Sequence, residues 1–512
     1  MKFSHILPVI GIEQKRNEQD IEITGLAYNS RNVKPGDVFV CMRGVKADGH
    51  TFAKSAVEAG AVALVVEEFI DGVDVPQYRV KDARSSLAAL ADAYYSHPTQ
   101  HMKTIGITAT NGKTSTSFMA NAILEEHGLQ TGLIGTVVVK IGDKAEPSEL
   151  TTPESLDLQR YFSEMVESDI QHVVMEVSSS ALELDRVGSV DFDIVTFNNI
   201  SREHIDLHSS FENYVMHKSK LVTRAGVDKV AILNLDDSYS AALQDQTDAF
   251  VVTIGVESEE ADIRCVDLDL STGRAEFTVS IADTLETPQG TIPQGDFRVS
   301  LGTPGYHSVY NSLVSIAIGL LCDAPIETIQ RAMKNFAGVE RRFEMIFEES
   351  FKIFDDHFAN SGNIDITLST LEKMDYKNLK LVYAIRGDRG VTVNRENAEA
   401  IVRWAPKLGL TEVIATSSKS DVTAKDVVAE EEKAVFLDVM EAAGIKVHLF
   451  DELPEAVRQG LHQAEDNDVV LLAGCQGMDY GAKYALEELS SMHPELDKEK
   501  LFKPLATRVA GV

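Results

Sequence analysis

Short apolar runs alternate with amphipathic segments in residues 1–100. The runs at 38–41 and 61–66 have strand character, and the stretch 52–59 between them has helical periodicity. This alternation predicts a small α/β unit. The periodicity stops around Pro98, which marks a predicted boundary.

A second pattern begins with a strand at 104–108, followed by a glycine-bearing loop and a long amphipathic helix at 114–126. Further segments continue the alternation: apolar runs at 173–177, 194–197 and 230–234, a polar β-rich stretch at 263–301, and helices at 309–321 and 326–336. This order predicts a mostly parallel sheet flanked by helices. The β-rich stretch is predicted to be an antiparallel insertion.

The alternation restarts after Gly338. The strand candidates of this third pattern are 351–354, 379–385, 412–415, 447–450 and 469–472, with helices between them. They predict a doubly wound, Rossmann-like domain. With 512 residues, the chain also has the length of roughly three domains. We therefore expect an α/β fold of three domains, with boundaries at 1–100, 101–337 and 338–512.

Composition narrows the classes of partner. The chain has 48 basic and 80 acidic residues and a formal charge of −32, which opposes binding to nucleic acid or to an anionic membrane. The negative overall charge does not exclude a local basic pocket that binds a small anion. The four cysteines lie too far apart to suggest a disulfide framework or a zinc site. No window has 18 uncharged apolar residues, so we expect a cytoplasmic protein without a membrane anchor.

The stretch GITATNGKTS, at 106–115, lies between the predicted strand and helix of the second pattern. A helix N-terminus that follows a glycine-bearing loop directs N–H groups and the helix dipole at one point, which favours a phosphate. Lys113 would reach the terminal phosphates, and the Thr114 hydroxyl would bind Mg²⁺. The alternative is a helix capped by Thr110 or Asn111 with an exposed lysine, and this string alone does not decide between them.

Other polar groups follow the strands of the second pattern. Glu176 ends an apolar strand, where it would be either a metal ligand or a buried, hydrogen-bonded glutamate. The segment 197–208 places His204 and several acidic groups directly behind the next strand, which favours a site only moderately. Lys218 lies on a predicted helix at 211–222, where an ordinary solvated lysine is the simplest interpretation.

Together these residues resemble the Mur ligase superfamily, whose phosphate loop typically reads Gly-Thr-Asn-Gly-Lys-Thr. Residues 109–114 match that loop with one change, Ala109. The chain most resembles the branch that adds the third amino acid to UDP-N-acetylmuramoyl-dipeptide. The segments that carry this likeness, in chain order, are 29–40, 48–52, 151–155, 175–179 and 186–188.

The resemblance implies a cytoplasmic, monomeric ligase of peptidoglycan precursor synthesis. Such an enzyme uses ATP and Mg²⁺, with two metal ions expected, to join a free amino acid to the carboxylate of a UDP-N-acetylmuramoyl-peptide through an acyl phosphate. Residues 1–100 would bind the UDP-sugar, 101–337 would bind ATP, and 338–512 would bind the amino acid.

The resemblance also assigns residues. The ATP-binding positions are Thr110, Asn111, Gly112, Lys113, Thr114, Ser115, Asn311, Arg342 and Asp356. The catalytic set is Lys113, Glu176, His204 and Lys218, and the metal-binding set is Thr114, Glu176, His204 and Lys218. Lys218 falls where the family carries a carbamylated lysine (N6-carboxylysine). The substrate-binding positions are Ser30, Thr151, Thr152, Ser178, Arg186, Arg389, Lys419 and Asp479.

Several positions depart from the family pattern: Ala109, Ser180, Ser308 and the acceptor string at 417–421. Lys419 in that string would repel a cationic acceptor side chain and tolerate a neutral or anionic one. Two alternatives therefore stay open. The chain would be a paralogue that uses the same chemistry on a non-murein carboxylate, or a catalytically silent binding protein of the same fold.

Overall fold

The computed structural model describes residues 1–44, 47–201, 210–506, 508 and 511. These residues form three large β-sheets and a two-stranded hairpin. Among them, no helix is both long and apolar enough to cross a membrane. All four cysteines are buried free thiols.

The first sheet is small and almost entirely parallel. Its strands are β1 (Ile12–Arg16), β2 (Gly25–Ala27), β3 (Asp37–Val40), β4 (Ala63–Val66) and β5 (Gln77–Val80), in the order β1-β5-β4-β3-β2. Only β1 is antiparallel to its neighbour. Helices α1 (Ala53–Glu58) and α2 (Ala83–Tyr94) accompany the sheet. Asp82 caps α2, because its side chain accepts hydrogen bonds from the first-turn N–H groups of Arg84 and Ser85. Aspartate is one of the residues that helices prefer at this position.

The central sheet contains eleven strands, and β6 lies near its middle. Its strands are β6 (Lys103–Thr108), β7 (Thr131–Ile134), β8 (Val138–Ile141), β9 (Lys144–Pro147), β10 (His172–Glu176), β11 (Ile194–Phe197), β12 (Val230–Asn234), β13 (Phe250–Gly255), β14 (Ile263–Asp269), β15 (Arg274–Ile281) and β18 (Gly295–Pro304). Their order is β18-β15-β14-β13-β12-β11-β6-β10-β7-β8-β9. The hairpin pairs β16 (Leu285–Thr287) with β17 (Gly290–Ile292).

The antiparallel strands of the central sheet lie at its edges. Strand β14 pairs parallel with β13 and antiparallel with β15, so the β-rich stretch continues the sheet and is not a separate insertion. The accompanying helices are α3 (Lys113–Glu126), α4 (Ser155–Glu167), α5 (Ser179–Glu183), α6 (Phe211–Thr223), α7 (Ser238–Ala241), α8 (Tyr306–Leu321) and α9 (Ile326–Asn335). Helices α3 and α8 bury apolar faces in one core with the sheet.

The third sheet has the doubly wound arrangement that the sequence predicts. Its strands are β19 (Glu344–Glu348), β20 (Lys352–Asp356), β21 (Leu379–Ala384), β22 (Glu412–Thr416), β23 (Lys446–Phe450) and β24 (Val469–Ala473), in the order β19-β20-β24-β21-β22-β23. All except β19 run parallel. The helices are α10 (Ser361–Glu372), α11 (Gly390–Leu408), α12 (Glu430–Ala442), α13 (Leu453–His462), α14 (Gly481–Met492) and α15 (Lys498–Phe502).

Polar contacts join the three parts of the chain. The Tyr28 hydroxyl donates to Asp157 on α4 over 2.5 Å, which links the first part to the central one. The Asn363 side chain on α10 donates to the Asn111 side-chain oxygen over 2.9 Å. This bond brings the first helix of the third part directly to the glycine-bearing loop.

Candidate active site

The glycine-bearing loop turns sharply between β6 and α3. Gly112 has φ of +87°, and a Cβ at this position would lie 2.4 Å from the Asn311 side-chain oxygen, so only glycine fits. Ala109 is fully buried and does not have a positive φ, so its methyl group causes no backbone strain. Gly112 is also the N-cap of α3, without a side-chain cap bond. The alternative of a cap by Thr110 or Asn111 is therefore wrong.

Two lysines converge on this loop. Lys113 Nζ donates to the carbonyl oxygens of Ala109, over 2.8 Å, and Thr110, over 3.1 Å. Lys218 Nζ donates to the same Ala109 oxygen over 2.7 Å and to Thr108 Oγ1 over 3.1 Å. Lys218 is only 1% exposed, so the interpretation as a solvated lysine is wrong. Burying an ammonium group is costly, which points to a specific role or partner at this position.

Glu176 lies beside the start of α3. Strands β6 and β10 are parallel neighbours, so their carboxyl ends meet at the same edge of the sheet. Thr114 Oγ1 donates to Glu176 Oε2 over 3.0 Å, and Thr136 donates to the carboxylate from its N–H, over 2.8 Å, and its hydroxyl, over 3.0 Å. The carboxylate is fully buried. It is thus hydrogen-bonded, and its oxygens and that of Thr114 are the donors that Mg²⁺ prefers.

The remaining loop residues are held by the ends of neighbouring elements. Thr110 Oγ1 lies 3.0 Å from the Tyr214 hydroxyl of α6. Asn111 exchanges two bonds with Asn199, which follows β11. Asn311, on α8, accepts a bond from the Thr116 hydroxyl over 3.2 Å. The loop is therefore fixed from three sides, and Tyr214 and Asn199 are contacts that the sequence pattern does not reveal.

A second group of predicted residues surrounds the backbone of Glu176. Thr152 Oγ1 donates to the Glu176 carbonyl oxygen over 2.9 Å and accepts from the Ser178 N–H over 3.0 Å. Arg186 donates to the Thr152 carbonyl oxygen over 3.1 Å. Thr151 and Thr136 have their hydroxyls 3.1 Å apart. The structure thus brings these predicted substrate positions next to the predicted ATP positions.

Models of three domains of one family match the chain in order: "Mur ligase family, catalytic domain" at residues 22–95, "Mur ligase middle domain" at 107–319, and "Mur ligase, glutamate ligase domain" at 341–476. A relative from Bacillus velezensis named UDP-N-acetylmuramoyl-L-alanyl-D-glutamate–2,6-diaminopimelate ligase is 35% identical over 93% of this chain and 94% of its own.

The chain belongs to the Mur ligase family.

It is therefore an ATP-dependent ligase. A relative of the same name from Listeria monocytogenes is also 35% identical, over 94% of each chain. Among solved structures, a diaminopimelate ligase of that name superposes with a TM-score of 0.69 at 21% identity, covering 96% of this chain and 99% of the other. A MurF ligase from Thermotoga maritima in complex with ADP gives 0.61 at 18% identity, covering 93% and 100%. These structural likenesses support the fold.

Two further predicted positions, Ser30 and Asp356, lie on elements other than β6 and β10. His204 lies outside the described residues. Ser30 starts a short helical turn of the first part. Asp356 ends β20, is buried, and accepts bonds from the Phe343 N–H and the Thr367 hydroxyl. Burial raises the pKa of Asp356 above its ordinary value.

The three predicted acceptor positions lie on separate loops that follow β21, β22 and β24, at the carboxyl edge of the third sheet. Arg389 is exposed at the start of α11. Lys419 is exposed and pairs with Asp451 at 2.9 Å, so it is not directed at Asp479. Asp479 pairs with Arg341. The roles of these three residues in substrate binding stay predictions.

Buried charges around β20 form a network that sequence reasoning missed. Arg508, near the C-terminus, pairs with Asp355 at 2.8 Å and with Glu344 at 2.5 Å. Arg341, just before β19, pairs with Asp355 at 3.5 Å and with Asp479. Burial raises the pKa of Glu344 to about 7, although the neighbouring Arg508 opposes this shift. No sequence motif marked Arg341, Glu344 or Arg508, because their partners lie far apart along the chain.

Proposed function

We propose that this Mur ligase uses ATP to join a free amino acid to the carboxylate of UDP-N-acetylmuramoyl-dipeptide, in peptidoglycan precursor synthesis. The observation that carries the proposal is the meeting of Lys113, Thr114, Lys218 and Glu176 at one edge of the central sheet. The relatives named above supply the substrate class.

The glycine-bearing loop would bind the phosphates of ATP. The N-terminus of α3 follows Gly112 directly, so its first N–H groups and the helix dipole would stabilise the phosphate charge. This anion site would use the whole loop: Thr110, Asn111, Gly112, Lys113, Thr114 and Ser115. Asn311 would contact the adenine, and Arg342 and Asp356 would lie towards the ribose.

The oxygens beside the loop fit a hard divalent cation, because Thr114 Oγ1 and the Glu176 carboxylate already lie together. Thr114, Glu176 and His204 would hold Mg²⁺, which neutralises charge on the transferred phosphoryl group when bound. Lys218 would contribute as N6-carboxylysine. A carbamate would replace a buried positive charge with a carboxylate, which suits its place beside Lys113.

The dipeptide would lie along the residues that surround Glu176. Thr151, Thr152, Ser178 and Arg186 would bind its peptide part, and Ser30 would bind the uridine end. This arrangement would direct the terminal carboxylate at the phosphates held by Lys113. Since a carboxylate is a poor acyl donor, it would first accept the phosphoryl group, and the resulting acyl phosphate would then be attacked by the amine.

The third part would bring the amino acid and exclude water. The bond between Asn363 and Asn111 supports an approach of α10 to the phosphates. Domain boundaries at 1–100, 101–337 and 338–512 agree with this division of labour. We propose that the enzyme acts as a monomer in the cytoplasm.

Trapping of the acyl phosphate tests the proposal. With ATP, Mg²⁺, hydroxylamine and UDP-N-acetylmuramoyl-dipeptide, but no amino acid, the protein should form a hydroxamate of the dipeptide. Lys113→Met should abolish it. Lys103→Met is the matched control, because Lys103 begins the same strand and donates to the carbonyl oxygens of Gln289 and Leu321, away from the loop. Failure of the wild-type protein to form any hydroxamate would exclude this function.

A further inference from the structure

Four loops meet at the carboxyl edge of the third sheet, where open α/β sheets bind ligands. They follow the parallel strands β20, β24, β21 and β22. Arg386 donates to the Ala359 carbonyl oxygen, and Ser418 Oγ donates to the Gly477 carbonyl oxygen over 2.6 Å. These bonds tie the loops together in pairs, so this edge presents a fixed set of polar groups.

Arg341 reaches into this edge from the segment before β19. It has φ of +56°, a conformation that costs free energy for any residue with a Cβ. Its guanidinium donates to the carbonyl oxygens of Gly474, over 2.5 Å, and Cys475, over 3.0 Å. It also pairs with the Asp479 carboxylate. Arg341 is only 5% exposed. Its ion pair with Asp479 occupies the acidic group that would otherwise attract an ammonium ion.

Three arginines, Arg341, Arg342 and Arg386, lie near His357 and Cys475. Burial lowers the pKa of His357 well below its ordinary value, and nearby Arg342, Arg341 and Arg386 lower it further. Two buried donors of these loops, Arg386 Nε and Ser417 Oγ, have no hydrogen-bond partner. Unpartnered buried donors favour a ligand with acceptor oxygens.

Two other carboxylates of these loops accept hydrogen bonds from hydroxyl groups. Asp426 accepts a bond from the Thr423 hydroxyl and Asp421 from the Tyr484 hydroxyl, each over 2.7 Å. One buried oxygen of Asp421 has no partner. The set of acceptors that is tested must therefore include amino acids with an ammonium group on the side chain.

We propose that the amino acid added by this ligase has no ammonium group on its side chain, and that Arg341 enforces this choice by occupying Asp479. The inference rests on the proposed function and names its acceptor class: amino acids with neutral or acidic side chains. It separates this chain from relatives that are named for 2,6-diaminopimelate, which carries a second ammonium group.

The first experiment compares acceptors of the wild-type enzyme, using UDP-N-acetylmuramoyl-dipeptide, ATP and Mg²⁺. The panel contains both enantiomers of alanine, serine, glutamine, aspartate and glutamate, and also lysine, ornithine and meso-2,6-diaminopimelate. We expect kcat/KM for the best neutral or acidic acceptor to exceed that for every ammonium-bearing one by roughly tenfold or more. A wild-type preference for lysine, ornithine or diaminopimelate would overturn the inference.

The second experiment frees Asp479. Arg341→Gly removes the guanidinium and relieves the backbone strain, so the variant should fold and should gain activity with ammonium-bearing acceptors. Arg341→Lys keeps a cation and should keep the wild-type preference. Adding Asp479→Asn to Arg341→Gly should remove the gained activity. If Arg341→Gly retains the wild-type preference, with an unchanged melting temperature, Arg341 is not the determinant.

The hydroxamate assay separates the two levels of the account. It requires no amino acid, so it reports on the proposed function alone. A hydroxamate together with a preference for lysine would leave that function standing and overturn the acceptor class. Absence of the hydroxamate would overturn both.

Discussion

The ammonium groups of Lys113 and Lys218 donate hydrogen bonds to one backbone oxygen, that of Ala109, over 2.8 and 2.7 Å. Two like charges that share one acceptor in a largely buried place repel each other. An anion beside Lys113, or loss of the charge on Lys218, relieves this repulsion. The pair therefore links phosphate binding to the chemical state of Lys218.

Replacement of Lys218 tests this link. Lys218→Ala should lower kcat by roughly 100-fold or more, because the proposed carbamate and its share in holding Mg²⁺ are lost. Formate or acetate should restore part of the activity by supplying the missing carboxylate. Lys220→Ala, two residues along α6, is the control and should keep near-normal kcat. A normal kcat for Lys218→Ala would exclude a role for a carbamate at Lys218 in the reaction.

Glu176 is expected to govern the response to magnesium. Glu176→Gln keeps the shape of the side chain and the bond from the Thr136 N–H, but it loses the negative charge. The Mg²⁺ concentration for half-maximal ATP turnover should rise about tenfold or more. The titration is measured as phosphate release at saturating ATP. An unchanged midpoint would mean that Glu176 is only a buried structural glutamate.

Glu344 should make stability depend on pH. Burial raises its pKa in the folded protein from 4.5 to about 7. The folded state therefore holds this proton more tightly than the unfolded chain, and the stabilisation present below pH 4.5 is lost as the pH rises to about 7. Relative to the wild type, Glu344→Gln should thus gain stability over this range. Urea unfolding at several pH values measures the free energy of unfolding of both proteins. A difference in this free energy that does not change with pH would contradict the raised pKa of Glu344.

Much of the fold was predictable because local patterns specify it. Several strands of the central and third sheets, such as β6, β10 and β24, are apolar runs buried on both faces, and such runs stand out in a sequence. The loop at 106–115 was predictable because glycine, lysine and threonine each have a distinct physical role there. Glu176 was found because a carboxylate at the end of an apolar strand is conspicuous.

The remaining site features depend on contacts between distant segments. The burial of Lys218 arises where α6 packs against the end of β6, and its helix alone indicated a solvated residue. Glu432 lies in the acidic run at 430–432, a composition typical of a solvated helix start, yet it is buried and accepts bonds from the N–H groups of Arg389 and Gly390. The sequence alone does not show where the Lys419 side chain points. Its ion-pair partner, Asp451, follows a different strand, β23.

The central claim is that the dipeptide carboxylate is phosphorylated before the amide bond forms. UDP-N-acetylmuramoyl-dipeptide with ¹⁸O in both oxygens of its terminal carboxylate tests it most directly. During turnover with ATP and an accepted amino acid, each released phosphate should carry one ¹⁸O atom, as measured by mass spectrometry. Phosphate without ¹⁸O, released while the tripeptide product accumulates, would contradict the account.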